Sequence, residues 1–265
     1  MVPVARAASA GAARRGSAVI TLILPAYNEA RRLPASLARC ADFFLARAVA
    51  AEVIVCDDGS TDGTGAAFAR TVESLPRSHL RYRYLELPHR GKGAAVRAGV
   101  AAAAGDPVIF LDADLTVPIE ILDHFTAALA DGADIAIASR YVRGSVVDRP
   151  WWRTLMGQVF RACVHAVVPI DVQDTQCGGK LYTAEAARDL FARSTLDGFA
   201  FDAEILYLAR RRGYRIIEVP FELRQEGATS VAFLRDSPRM FRDLLLIRWN
   251  AARGRYGPAA VRGPR

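Results

Sequence analysis

The segment from Val108 to Asp114 limits the possible folds most, because four apolar residues lead directly into two aspartates one residue apart. An uninterrupted apolar run of this length is typical of a strand buried on both faces of a parallel sheet. The chain leaves such a strand at its carboxyl end, where open α/β sheets bind their ligands. In an extended segment, Asp112 and Asp114 would point to the same side. Their repulsion favours a bound cation, and a hard divalent ion that also holds phosphate oxygens suits them.

An Asp-x-Asp pair is common, so this motif alone leaves two interpretations open. Either Asp112 and Asp114 bind a metal ion, or they lie in a solvated turn that happens to contain two acids. The choice depends on the polar residues that follow the other predicted strands.

Strands and helices alternate through about residue 140, which predicts an α/β fold with a mostly parallel sheet and helices on both faces. The predicted strands cover residues 19–24, 53–56, 82–87, 108–111 and 135–139. Later strands are predicted at 181–182 and 216–223. Helices are predicted at about 29–49, after residue 64, from residue 91, and at 118–130, 201–213 and 233–253.

Another predicted helix, over residues 154–168, is apolar except for a polar stripe at Gln158, Arg161 and His165. A membrane-spanning helix needs about 20 apolar residues, so this segment is not one. Two placements stay open: the helix packs on the core, or it lies on a lipid surface with Trp151 and Trp152 as anchors.

The last predicted helix has arginines on one face and apolar residues on the other, a pattern that suits an anionic membrane. An ordinary surface helix with solvated arginines would show the same pattern. We expect a loose tail over residues 1–17, one α/β domain over 18–232, and an amphipathic basic helix and tail over 233–265.

Composition narrows the class of protein. Hydrophobic residues make up 52% of the 265 residues, too many for a disordered chain. None of the four cysteines forms a C-x-x-C pair, which indicates neither a zinc site nor a disulfide framework and fits a reduced, cytosolic setting. The net charge of +7 fits anionic membranes, phosphorylated substrates or nucleic acid. We expect no nucleic acid partner, because the basic residues are not interleaved with aromatic residues on a small fold.

Lysine is rare in this chain. Lys92 and Lys180 are the only two lysines among 35 basic residues, and both lie in glycine-flanked segments. Because lysine and arginine are not interchangeable, both lysines are candidates for contact with substrate, and a chance placement is the alternative. The expectation for both is contact with substrate.

Polar clusters follow the predicted strands and should gather at one edge of the sheet. They are residues 25–29, residues 57–62, Lys92 with Arg97, and Asp112 with Asp114. Such an edge offers acceptors for a base and ribose, and cations and a metal for a diphosphate. The sequence therefore predicts a nucleotide-diphosphate ligand, although it lacks the P-loop and the G-x-G-x-x-G patterns.

Four motifs, in this order, resemble those of the family 2 glycosyltransferases of the GT-A fold. That family carries P-x-Y-N-E, D-D-G-S-x-D-x-T, G-K-G and D-x-D, which here cover residues 25–29, 57–64, 91–93 and 112–114. Segments of the second half resemble dolichyl-phosphate glucosyltransferases and, more distantly, dolichyl-phosphate mannose synthases. These segments are residues 139–140, 153–156, 174–180, 201–204 and 242–248.

The resemblance implies an inverting transfer of a hexose, favouring glucose from UDP-glucose, to a polyprenyl phosphate at the cytoplasmic face of a membrane. It implies that Asp112 and Asp114 bind Mg²⁺ or Mn²⁺. The implied nucleotide-sugar site also includes Pro25, Tyr27, Glu29, Asp57, Asp58, Gly59, Lys92, Gly93 and Ala113. The implied acceptor-phosphate site consists of Arg140, Arg153 and Lys180. Further catalytic residues would be Asp174 and Gln176.

Several alternatives stay open. The donor could be GDP-mannose or UDP-N-acetylglucosamine, and the acceptor a soluble hydroxyl group with Asp174 as its base. Outside this class, nucleotidyl transfer and non-catalytic nucleotide binding use similar sheets and paired acids.

Overall fold

A computed structural model describes residues 19–148, 150–224 and 233–259, without the side chains of Arg153, Arg224 and residues 233–238. The expected tail at 1–17 lies outside the described residues. The strands are β1 (Ile20–Ala26), β2 (Ala51–Asp57), β3 (Leu80–Glu86), β4 (Val108–Leu111), β5 (Ile135–Ser139), β6 (Val146–Asp148), β7 (Gly179–Tyr182), β8 (Ile216–Pro220) and β9 (Glu222–Arg224). The helices are α1 (Leu33–Ala46), α2 (Thr64–Ser74), α3 (Lys92–Ala102), α4 (Ile121–Ala130), α5 (Trp151–Val167), α6 (Ala184–Phe191), α7 (Phe201–Arg211) and α8 (Phe233–Ala252).

The predicted α/β fold with a mostly parallel sheet is confirmed. Seven strands form one sheet in the order β3-β2-β1-β4-β7-β5-β8, and β6 pairs with β9 in a small second sheet. In the large sheet, β7 runs antiparallel to β4 and β5, whereas the other neighbouring strands are parallel. The strand order reverses at β1 and β4, and open α/β sheets bind ligands at such a reversal.

The sheet separates two apolar layers. Side chains of α1, α2 and α4 pack on one face. Those of α3, α5, α6, α7 and α8 pack on the other. All four residues of β4 are buried, as the apolar run predicts, and burial of each large side chain contributes about 1.5–3 kcal/mol. The packing of β4 therefore fixes the position of Asp112, which directly follows the strand.

Two helices differ from the predictions for local reasons. The first begins at Leu33 rather than near residue 29, because the chain before it forms a loop in which Asn28 has a φ of 55°. The helix at 184–191 was missed altogether; it starts at Thr183, whose hydroxyl accepts a hydrogen bond from the N–H of Ala186 at 3.2 Å. The strand predicted over 216–223 is divided into β8 and β9.

Helices α5 and α8 pack on the core through few of their side chains. Of the α5 side chains described, only Val164 is buried, while Trp151 is 77% exposed. Helix α8 packs against α5 and inserts Leu244 and Ile247 into the core. No helix in the described ranges is both long and apolar enough to cross a membrane.

Candidate functional site

The first two motifs form one hydrogen-bonded unit at the carboxyl ends of β1 and β2. The N–H of Asn28 donates to Ser60 Oγ at 2.8 Å, and the N–H of Thr61 donates back to Asn28 Oδ1 at 2.9 Å. Glu29 N–H donates to Thr64 Oγ1 at 2.9 Å, and Ala30 N–H donates to an Asp62 carboxylate oxygen at 3.0 Å. These bonds explain why Asn, Ser, Thr and Asp recur here: they hold two loops together beside Pro25 and Tyr27.

Asp57 and Asp58 are buried and already hydrogen-bonded by the protein. Asp57 accepts from the N–H and hydroxyl of Ser60 and from the hydroxyl of Tyr84. Asp58 accepts from the N–H groups of Arg90 at 2.8 Å and Gly91 at 2.9 Å. Both carboxylates therefore hold the loops at this end of the sheet in place.

An exposed aromatic pair lies beside these acids. Tyr27 stacks on His89 with ring centroids 4.3 Å apart, and His89 Nδ1 lies 2.9 Å from a carboxylate oxygen of Asp58. Gly59 has a φ of 76°, and a Cβ there would lie 2.9 Å from the backbone nitrogen of His89. Glycine therefore lets the two loops approach closely enough for the stack to form.

Asp112 and Asp114 follow β4 in a turn, so the expected extended geometry was wrong. Leu115, with a φ of 49°, donates its N–H to the carbonyl oxygen of Asp112 at 2.9 Å. Both carboxylates nevertheless lie near the same two side chains, since the charges of both act on Glu29 and on Lys92. Their side chains are 36% and 28% exposed, and Ala113 between them is buried.

Each of the two aspartates has a basic partner. Lys92 Nζ lies 2.5 Å from Asp112 Oδ1. Arg32 Nη1 lies 3.9 Å from Asp114 Oδ2, while the same guanidinium binds Glu29 through two bonds of 2.6 and 2.7 Å. The cluster thus alternates acids and bases across the ends of β1 and β4.

The pKa values follow from this crowding. Burial raises the pKa of Glu29, Arg32 lowers it in part, and repulsion from Asp114 and Asp112 adds to the rise. For Lys92, burial acts to lower the pKa, but Asp112 and Asp202 outweigh it and the pKa is raised. Lys92 therefore carries its positive charge beside the aspartate pair.

The absence of a side chain at Gly178 leaves room for the carboxylate of Asp112. β7 pairs antiparallel with β4, so the residue before it faces the end of β4, and Asp112 N–H donates to Gly178 O at 3.1 Å. A Cβ at Gly178 would lie 2.0 Å from Asp112 Oδ2.

We predict that Gly178→Ala displaces the Asp112 carboxylate and lowers kcat/KM by about 100-fold, since an ångström of misplacement can cost that much. Steady-state kinetics and thermal unfolding measure the two effects. Gly198→Ala is the matched control, because a Cβ there meets nothing closer than 3.6 Å. Equal activities of the two variants would contradict the prediction.

The loop of residues 194–198 holds the N-terminus of α3 and was not predicted from sequence. The carbonyl of Asp197 accepts from the N–H groups of Gly93 at 2.8 Å and Ala94 at 3.3 Å. The carboxylate of Asp197 pairs with Arg97 at 2.8 Å and Arg90 at 2.7 Å. Arg97 therefore supports α3 from the side and fixes the position from which Lys92 extends.

Arg140 and Asp174 form a tight pair at the end of β5. Arg140 donates from Nε at 2.7 Å, from Nη2 at 2.8 Å and from its backbone N–H at 2.9 Å. Burial acts to raise the pKa of Asp174, but the bonds from Arg140 prevail and lower it. The carboxylate of Asp174 is almost fully buried, so its position suits orienting Arg140 better than accepting a proton from a substrate.

Gln176 and Arg153 complete the predicted acceptor side. Gln176 Nε2 is one of three buried side-chain nitrogen or oxygen atoms that lack a hydrogen-bond partner in the described part of the chain. An unpaired buried donor is rare in proteins, which sets this amide apart from its neighbours before β7. Arg153 lies in the first turn of α5, and its side chain falls outside the described residues.

Lys180 does not reach the site, contrary to the expectation of phosphate contact. Its side chain is fully buried, and Nζ donates to Cys177 O at 2.7 Å and to Asp202 Oδ1 at 2.6 Å. The ammonium also lies 5.3 Å from the ring centre of Phe110. Its position after two glycines was the basis for expecting substrate contact, but a carboxylate 22 residues later in the chain holds it in the core.

A mostly parallel α/β sheet with paired acids and basic side chains at the edge where its strand order reverses has the architecture of a nucleotide-binding α/β protein. The chain belongs to the Glycosyl transferase family 2, whose family profile matches residues 21–191. It is a glycosyltransferase.

Similar proteins agree with this assignment. The dolichyl-phosphate beta-glucosyltransferase of Drosophila melanogaster is 32% identical over 242 residues, covering 86% of this chain and 74% of that protein. The human protein of the same name is 31% identical over 243 residues, again covering 86% of this chain and 74% of that protein. A crystal structure of glucosyl-3-phosphoglycerate synthase from Mycobacterium tuberculosis, in complex with Mn²⁺, UDP and phosphoglyceric acid, superposes with a TM-score of 0.64 at 22% identity. That match covers 93% of this chain and 81% of the other, and supports the fold.

The aspartate pair fits a divalent metal with few protein ligands. No group of three or more His, Cys, Asp or Glu side chains suited to a metal occurs in the part of the chain described. Mg²⁺ is commonly held by one or two carboxylates together with substrate phosphates and water, all of them oxygen ligands. Asp112 and Asp114 supply such a pair.

Proposed function

We propose that this glycosyltransferase moves glucose from UDP-glucose to a polyprenyl phosphate, with inversion at the anomeric carbon, on the cytoplasmic face of a membrane. The exposed apolar surface of α5 and α8, beside the segment that carries Arg140, is the observation that carries the choice of a lipid acceptor. The glucosyltransferase names of the relatives above support the choice of sugar.

In this proposal the donor lies across the ends of β1, β2 and β4. Tyr27 and His89 offer an aromatic surface for the base, and the loops of Asp57 and Asp58 surround the ribose. Lys92 faces the diphosphate. A bound Mg²⁺ or Mn²⁺ would neutralise the charge that develops on the departing diphosphate.

The acceptor chemistry needs positioning more than a base. A phosphomonoester has a second pKa of about 6, so it is close to doubly ionised at pH 7 and is already a nucleophile. Its oxygen attacks the anomeric carbon as the bond to the diphosphate breaks on the opposite side. Arg140 uses two of its five side-chain N–H groups on Asp174, which leaves three for a phosphate. The unpaired amide of Gln176 is available to a sugar hydroxyl.

Helices α5 and α8 together present an apolar face. Along α5, Trp151, Leu155 and Val159 are exposed at intervals of four residues, and Phe241, Leu245 and Trp249 repeat this spacing along α8. Arg239, Arg242 and Arg248 are exposed on α8 as well. Apolar side chains beside arginines match an anionic lipid surface.

This face is joined to the acceptor side of the site. Arg161 of α5 lies over the ring of Tyr141, 4.6 Å from its centre, and Tyr141 directly follows Arg140. A lipid phosphate at the membrane surface would therefore reach Arg140 without leaving the interface.

A radiolabel assay tests the proposal directly. The purified protein is incubated with Mn²⁺, a polyprenyl phosphate in detergent, and one of three labelled donors: UDP-glucose, GDP-mannose or UDP-N-acetylglucosamine. Of the three donors, we expect only UDP-glucose to give label in the organic phase. Without the polyprenyl phosphate, we expect no label there. Label that stays in the aqueous phase as a glucoside would overturn the lipid acceptor, and transfer from either other donor would overturn the donor.

We predict that Leu245→Glu weakens binding to anionic phospholipid vesicles by roughly tenfold or more, because a leucine side chain contributes about 1.5–3 kcal/mol when buried. Vesicle sedimentation gives the bound fraction. Ala69→Glu is the control, since it adds the same charge to an exposed position of α2, on the opposite face of the sheet. Equal binding by both variants would exclude this face as the contact.

A further inference from the structure

We propose that Lys92 and Arg32 are exchangeable counter-ions, which leave the aspartate pair for the donor diphosphate as the divalent metal binds. Metal and nucleotide would then bind weakly alone and tightly together. The inference rests on the donor site proposed above and adds a role for two basic side chains in coupling its ligands.

The carboxylates of Asp112 and Asp114 already have basic partners. Lys92 Nζ contacts Asp112 Oδ1 at 2.5 Å, and Arg32 Nη1 lies within 3.9 Å of Asp114 Oδ2. A metal ion would bring a further cation to these same carboxylates, and two cations on one carboxylate repel each other. Metal binding without nucleotide therefore weakens the Lys92–Asp112 pair without bringing a new anion to Lys92.

The N-terminus of α3 has few free N–H groups to offer a diphosphate. Helix N-termini often bind phosphate through their free N–H groups. At α3, however, the N–H groups of Gly93 and Ala94 already donate to the carbonyl of Asp197. With these two N–H groups occupied, the charge of Lys92 is the main attraction that α3 offers to a diphosphate.

Lys92 is suited to move between the two partners. Its ammonium ends a flexible four-carbon stem, and its side chain remains 16% exposed. The buried carboxylate of Asp202 also acts on its charge, so Asp112 is one of two carboxylates that favour the ammonium form. Diphosphate binding would thus draw Lys92 from Asp112 and free a carboxylate for the metal, and by linkage each ligand strengthens the other equally.

Mn²⁺ titrations followed by electron paramagnetic resonance, with and without saturating UDP, test this inference. The ratio of the two dissociation constants, corrected for the Mn²⁺–UDP complex in solution, is the coupling factor. In Lys92→Met we expect tighter Mn²⁺ binding without UDP and a coupling factor at least about fivefold below wild type. Arg32→Met should also tighten Mn²⁺ binding without UDP and lower the coupling factor. Both effects should be smaller than in Lys92→Met, because the Arg32–Asp114 contact is longer than the Lys92–Asp112 contact.

Arg39→Met is the matched control, since it removes the same charge from α1 where the arginine pairs with exposed Glu120 at 2.9 Å. It should leave both constants unchanged. If Lys92→Met keeps the wild-type coupling factor, or does not tighten Mn²⁺ binding alone, the exchange is wrong although the donor site stands. If the wild-type protein binds UDP but no Mn²⁺ under either condition, the metal role in the proposed function fails instead.

Discussion

Asp114→Asn is expected to lower kcat/KM for sugar transfer by about 1,000-fold, the loss seen when a main electrostatic stabiliser of a transition state is removed. The departing diphosphate gains negative charge as the sugar leaves. An amide in place of the carboxylate binds a divalent metal poorly, so that charge would be left without its chief partner. Saturating Mn²⁺ should restore only a small part of the rate.

The fold should not change, because Asp114 contributes little to holding the structure together. Its Oδ1 accepts one bond from Thr116 N–H at 3.0 Å, which an asparagine oxygen can also accept. Arg32 keeps its two bonds to Glu29. Thermal unfolding should therefore match wild type while activity is lost.

Asp123→Asn is the matched control, since it removes one carboxylate that pairs with Arg47 on the surface. Its rate and Mn²⁺ dependence should equal those of wild type. Full activity of Asp114→Asn, with or without Mn²⁺, would contradict the role of the aspartate pair.

The fold and the centre of the site could be predicted from sequence because their signals are local. The run Val108–Leu111 predicted β4, and the acids after it predicted a charged turn at the sheet edge. Asn28, Ser60 and Thr64 belong to motifs that can be read in sequence order, and the structure joins them through hydrogen bonds.

The other parts depend on contacts between distant segments. Four residues of β7 give no hint of antiparallel pairing, yet this pairing sets Gly178 against Asp112. Arg32 is one of 33 arginines in the sequence and could not be singled out before its bonds to Glu29 were seen. Asp174, predicted to act in catalysis, is held by Arg140, which no spacing rule indicates.

Lys180→Met is expected to lower the free energy of unfolding by about 3–5 kcal/mol at neutral pH, the typical cost of leaving one partner of a buried ion pair alone. The variant leaves the buried Asp202 carboxylate without its hydrogen-bonded cation and removes the bond to Cys177 O. This stability change is separate from chemistry, because Lys180 does not reach the substrate side. Urea unfolding measures it.

The loss should shrink on acidification, and its direction follows from Asp202. Burial raises the pKa of this carboxyl, and Lys180 lowers it in part, so removing Lys180 lets the pKa rise further. As the pH falls, folded Lys180→Met takes up a proton that the unfolded chain does not yet bind, and the folded state gains stability. The difference from wild type is therefore largest above the raised pKa and smaller below it.

The double variant Lys180→Met/Asp202→Asn separates this charge effect from packing. It removes both charges and keeps similar side-chain volumes, so it should recover most of the stability that Lys180→Met loses. A double-mutant cycle with Asp202→Asn then gives the interaction energy of the pair. If Lys180→Met and the double variant are equally unstable at every pH, the loss comes from packing around Phe110 and not from the unpaired carboxylate.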